Sequence, residues 1–120
     1  MTPRLALVLG AVLAFLAVAL GAFGAHALSG IEPARLAWWT TAGQYHFIGS
    51  VGLLANGHLD SRRGLRGPGL VFLAGILLFS GSLYAMALGA PRALGAITPL
   101  GGLALISGFI WLGIRGLARE

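Results

Sequence analysis

No cysteine occurs in the 120 residues, so neither disulfides nor thiolate metal sites are available. Charge is nearly as scarce: charged residues make up 9% of the chain, far below the share found in an ordinary soluble domain. Lysine is absent, and the formal net charge of +5 comes from eight arginines set against three acidic residues. Those acids, Glu32, Asp60 and Glu120, all lie outside the long apolar runs, which argues against a proton relay of the usual intramembrane carboxylate kind. What is present is apolar. Hydrophobic residues are 58% of the chain, more than a soluble domain this small could hide, because small domains leave a large share of their surface exposed. The solvent must be lipid. The arginines stand at the ends of the apolar runs, so membrane topology accounts for their excess and no nucleic-acid partner is expected.

A helix needs about 20 apolar residues to cross a hydrocarbon core of ~30 Å. Four stretches qualify: Leu5–Ala25, Leu36–Leu59, Gly69–Ala90 and Ala93–Ile114, the last with Pro99 in its first turn, where a missing N–H is harmless. Three short connections separate them: Ser29–Arg35, the basic Asp60–Pro68 and the tight turn Gly89–Arg92. Backbone groups in lipid must be satisfied within their own segment. The expectation is therefore one all-α membrane domain, a bundle of four transmembrane helices.

"GAFGAHAL" at 21–28 contains Ala25-His26-Ala27, which reads as a signal-peptidase box. A signal peptide, however, has an apolar stretch of roughly 7–15 residues, whereas Leu5–Ala25 runs to 21. Cleavage would also place the basic loop and the basic C-terminus on opposite sides. Retention is the better reading. With four spans, Arg4, Arg62, Arg63, Arg66, Arg115 and Arg119 share one side, and Arg35 and Arg92 the other. This split predicts a bacterial-type plasma (inner) membrane protein with both termini cytoplasmic. Trp38 and Trp39 then belong to the outer interface and Trp111 to the inner one.

Lipid provides no hydrophobic drive between helices, so close backbone approach and hydrogen bonds must hold them together. Small residues recur at four-residue spacing in two spans, Ala6, Gly10 and Ala14 followed by Ala17, Gly21 and Ala25, and Gly81, Ala85 and Gly89; Gly101, Ala104 and Gly108 form a similar face on the fourth. The first span is expected to use its Ala17/Gly21/Ala25 face against a neighbouring helix, within the bundle or across a dimer.

Polar residues gather in the outer half. His26 ends the first span. Gln44, Tyr45 and His46 lie ~8–12 Å in from the outer tryptophans at 1.5 Å per residue. Ser80, Ser82 and Tyr84 occupy the outer half of the third span, and Thr98 opens the fourth. Such residues usually face the protein interior. The serines can equally bond their own helix backbone, and the tyrosines can be interface residues. His46 is the most informative member, because an imidazole that deep needs a partner, whether a structural hydrogen bond or a ligand. The expectation is that His26, Tyr45 or His46, Ser80, Tyr84 and Thr98 line one shared outward-facing region.

"GAFGAHAL" at 21–28, "TAGQYHFIGSVGLLA" at 41–55, "LFSGSLYAMALG" at 78–89 and "LGAITPLGG" at 94–102 resemble the small membrane proteins of the domain-of-unknown-function 423 family. That family takes in bacterial YgdD-like proteins and the eukaryotic transmembrane protein 256. The resemblance runs in collinear order over nearly the whole chain. It implies a multi-pass membrane protein of about this length with the first helix retained, and it implies no activity. One departure stands out: Gly49 occupies a position where the family pattern leads one to expect histidine.

Three functional classes follow. The first is a non-enzymatic structural, assembly or interaction component, in the bilayer as a homo-oligomer or within a larger membrane complex. No nucleophile–base–acid set is apparent, and no catalytic residue, cofactor or metal is expected. The second is an oligomeric binding or transport protein using the outer polar cluster. The third, a haem or metal protein built on His26 and His46, suffers from their depth difference of ~8–12 Å, which is awkward for one iron.

Overall fold

The computed structural model describes residues 3–59 and 67–118, and among these no strand occurs. Helix α1 spans Pro3–Ala27 and α2 spans Pro33–Leu59. The third membrane crossing is continuous but compound: α3 (Pro68–Gly75), a π-helical stretch Ile76–Ser80, then α4 (Gly81–Ala87). A 3-10 turn at Arg92–Ala96 leads into α5, Thr98–Ala118. Proline opens α1, α2 and α3 and is second in α5, positions whose N–H would have no intrahelical partner in any case. The molecule measures 50 × 26 × 21 Å, long enough to reach both headgroup layers of a bilayer about 40–45 Å thick overall. It is an all-α bundle of four membrane-spanning helices.

Two helix ends differ from the sequence expectation, each for a local reason. The third crossing ends at Ala87, not Ala90. Gly89 adopts φ +113°, Gly89 N–H donates to the Met86 carbonyl and Ala90 N–H to the Ala85 carbonyl. This is a Schellman closure, with Pro91 following. The last helix starts at Thr98, not Ala93. Pro99 has no N–H to give to residue 95, so a continuous α-ladder through this point is impossible, and the preceding residues close 3-10 bonds such as Ile97 N–H to Leu94 C=O.

Three of the crossings are plainly apolar: Arg4–Ala27, Pro68–Ala87 and Arg92–Leu117, with mean hydropathy 2.7, 2.0 and 1.8. The less apolar α2 is the central helix. It packs against α1 on one side and the third crossing on the other, and α5 packs chiefly on the third crossing. Its buried residues Trp39, Ala42, His46, Gly49, Leu53 and Asn56 alternate three- and four-residue steps. That is the spacing of a seam between helices. One apolar cluster (Ala6, Leu53, Phe72, Ile76, Leu105) and a second (Leu28, Trp39, Ala87) occupy the two halves of the bundle. His46 and Ser50 lie between them along α2.

The small-residue faces are partly corrected. Gly101 and Gly108 of α5 are buried, Gly101 so close to the Leu78–Phe79 backbone that a Cβ there would collide with it. On α1 the buried positions are Ala6, Gly10, Ala17 and Gly24, while a Cβ added at the exposed Gly21 would meet no neighbouring helix within 4 Å and Ala25 is exposed. Gly81 and Gly89 are exposed as well. Four residues rotate 400°, so a strict four-residue stripe creeps about 40° around the helix at each step. The real seam advances by seven, from Gly10 to Ala17 to Gly24. The expected inward packing of Gly21 and Ala25 therefore does not occur within the bundle.

Candidate functional site: a polar layer and an open groove

The polar layer is built where α2 meets the third crossing. His46 is 4% exposed, and its Nδ1 lies 3.0 Å from the Tyr84 hydroxyl. The Ser50 hydroxyl donates to the His46 carbonyl at 2.7 Å. The Ser80 hydroxyl, fully buried, donates across helices to the Ala42 carbonyl at 2.8 Å. Tyr84 stacks edgewise on Trp39, with ring centroids 4.7 Å apart, and Trp39 Nε1–H donates to the Leu20 carbonyl of α1 at 2.8 Å. Three membrane crossings are thus tied through one run of side chains.

The π-helical stretch positions this layer. Gly81 N–H reaches back five residues to the Ile76 carbonyl, so the turn holds one residue more than an α-turn. Every residue beyond is displaced by one position around the helix, and Ser80 and Tyr84 face α2. A second pair closes the mouth of α5: the Ser82 hydroxyl donates to its own helix at Phe79 C=O and contacts the Thr98 hydroxyl. A serine has one proton, so Thr98 donates in that pair. Arg35 Nε–H donates at 2.8 Å to the Ala87 carbonyl, one of the orphan acceptors at a helix C-terminus, and Arg92 lies over Trp38 at 5.6 Å. Both arginines thus belong to one end of the bundle, here the Trp38 end; Trp111 lies beside Gly67 at the other.

The eight residues singled out from the sequence separate into three sets. His46, Ser80 and Tyr84 join the interhelical layer, and Ser82 and Thr98 form their own pair. His26, Gln44 and Tyr45 are exposed, with Tyr45 set edgewise against Phe79 at 5.0 Å. They do not line one common region. Adjacent residues on a helix point about 100° apart, so Gln44 and Tyr45 could not share the inward face of His46. His26 is at the exposed end of α1 and His46 is inside, which gives the two imidazoles no common centre. Sequence reasoning left Ser50, Asn56 and the Trp39 indole N–H out of the candidate site, although the three-and-four spacing of α2 marks Trp39 and Asn56. At Gly49 a Cβ would lie 2.5 Å from Ile76 Cγ1. As packed, this chain has no room for a histidine there.

On the opposite flank of α2, a groove of 650 Å³ runs between α1 and α2. Its floor is Ala17, Gly21, Gly24 and Ala25, and its α2 wall includes Trp39, Thr40, Gly43 and Gln44. Thr40 donates to its own helix at Leu36 C=O. Gln44 makes no hydrogen bond to any described residue.

Four apolar helices joined by interhelical hydrogen bonds and small-residue contacts define an integral membrane protein with minimal loops. The chain belongs to the family described as "Protein of unknown function (DUF423)", whose model matches residues 20–102. It is 46% identical over 111 residues to the UPF0382 membrane protein YwdK of Bacillus subtilis, covering 88% of this chain and 90% of that one. It is 38% identical over 112 residues to the UPF0382 membrane protein SH2409 of Staphylococcus haemolyticus, covering 91% and 92%. The UPF0382 inner membrane protein YgdD of Escherichia coli is 35% identical over 113 residues, covering 91% and 86%. No solved structure matches. The biochemical function is unassigned across these relatives' names.

Proposed function

We propose that this protein is a non-enzymatic interaction component of a bacterial plasma membrane, with both termini and the 60–68 segment on the cytoplasmic side. One contrast carries the reading. The polar groups of His46, Ser80 and Tyr84 are used in tying helices to each other, whereas the α1–α2 groove presents small residues and the amide of Gln44 outward. An amide in hydrocarbon is costly unless it is paired, and small residues permit close approach of another helix. Orientation follows the arginine distribution, of which Arg62, Arg63, Arg66 and Arg119 lie outside the described residues. The name of the Escherichia coli relative favours the inner membrane.

A photoactivatable side chain at Thr40, in the groove wall, tests this reading in intact membranes. A discrete protein adduct is expected, lost when Gly21→Leu fills the groove. Adducts with lipid alone would defeat it.

A further inference from the structure

We infer that the partner of the α1–α2 groove is a second copy of this chain, forming a two-fold dimer about an axis along the membrane normal. The inference rests on the interaction reading above and names its partner. Two independent observations converge on it. A Cβ added at Gly21 in the groove floor would meet nothing within 4 Å, and Ala25 beside it is exposed. Gln44 in the opposite wall is exposed and makes no hydrogen bond to any described residue, yet it lies about 16 Å along α2 from Pro33, near the middle of that helix.

The choice among occupants follows from what each offers that amide. An acyl chain would fill the groove but has no donor or acceptor for Gln44. Another helix would satisfy it only if it carried a polar group at the same depth. A second copy meets this condition by symmetry. Lipid orients both copies alike, so a two-fold axis normal to the bilayer puts each residue opposite its own counterpart at equal depth. The glutamine amide carries both a carbonyl acceptor and N–H donors, so two Gln44 side chains pair without any further group. The same axis brings Gly21 and Ala25 of α1 towards their counterparts, with small side chains that let the backbones close in. The outward position of the small-residue stripe on α1 then has a physical reason: it is the seam between copies.

The absence of cysteine makes a clean experiment. Ala25→Cys at the Trp38 end of the groove is oxidised in native membranes and in lipid nanodiscs, beside Leu100→Cys, which is 60% exposed near the same end of α5. A disulfide-linked dimer is expected from Ala25→Cys and not from Leu100→Cys. Adding Gly21→Leu should abolish that dimer while helical content is retained, since the monomer has open space at Gly21. Gln44→Leu should weaken self-association by about threefold to thirtyfold, the range for one interhelical side-chain hydrogen bond. Equal cross-linking at both positions, or a dimer that persists with Gly21→Leu, overturns the inference. If the Thr40 probe joins only a different protein, the dimer is wrong and the interaction reading survives. If it joins no protein at all, both fall.

Discussion

His46 and Tyr84 show how one side-chain pair can hold a membrane bundle together. The imidazole is enclosed by α2, the third crossing and the backbone of Leu13 on α1, whose carbonyl falls short of a hydrogen bond with Nε2. The arrangement is best satisfied when Tyr84 donates to Nδ1, which leaves the ring proton on Nε2 beside that carbonyl. Removing either partner alone leaves the other unpaired, at a cost of ~1–3 kcal/mol. Tyr84→Phe and His46→Leu should therefore each lower thermal stability in detergent. The double variant should lose clearly less than the sum, because replacing both partners by apolar groups abolishes the unpaired atom. Strict additivity in that cycle would show that the 3.0 Å contact contributes nothing.

The π-helical stretch Ile76–Ser80 is the least regular part of the third crossing, and it can be tested as an insertion. Removing one residue from a π-turn restores ordinary α-helical bonding while keeping the faces before and after it aligned. Leu77 is 61% exposed, so its deletion takes no buried side chain away. Deleting Leu77 should leave a folded protein within about 2 kcal/mol of wild type. Deleting Leu103, equally exposed but within the regular α5, should rotate Leu105 and Gly108 off their contacts and cost more than ~4 kcal/mol, as disrupted cores do. Denaturation in mixed micelles compares the two; equal losses would mean that Ile76–Ser80 carries no surplus residue.

At the scale of the whole molecule, α2 is the hub and α1 the outlying helix. Arg35 latched to the end of α4 and Arg92 packed on Trp38 fix one end of the bundle, so residues 28–32 and 88–97 must face the same side of the membrane. In the orientation proposed from the arginine distribution, that side is the outer one. Topology reporters fused after Gly30 and after Arg66 should report opposite compartments, the latter cytoplasmic. Matching compartments would require an even number of crossings between them and would discard the orientation.

The family was legible through the resemblance of four motifs, and the lipid solvent and the four crossings because they rest on counts: run length and charge density need no partner to be read. The turn at Gly89–Arg92 was legible too, since glycine and proline act through their own backbones, although the start of the last helix was placed at Ala93 and falls at Thr98. What only the tertiary structure decided was direction. Gly21 and Gly24 are both small, and Gln44 and His46 both polar, yet one of each pair faces inward and the other outward. A helix turns about 100° per residue, and which arc is buried depends on the neighbours that pack against it. The surplus residue in the π-turn, which has no compositional mark, then swings Ser80 and Tyr84 onto α2. The single outward cluster inferred from depth alone became an interhelical layer on one side of α2 and a groove on the other, because depth follows from position along the chain whereas facing follows from packing.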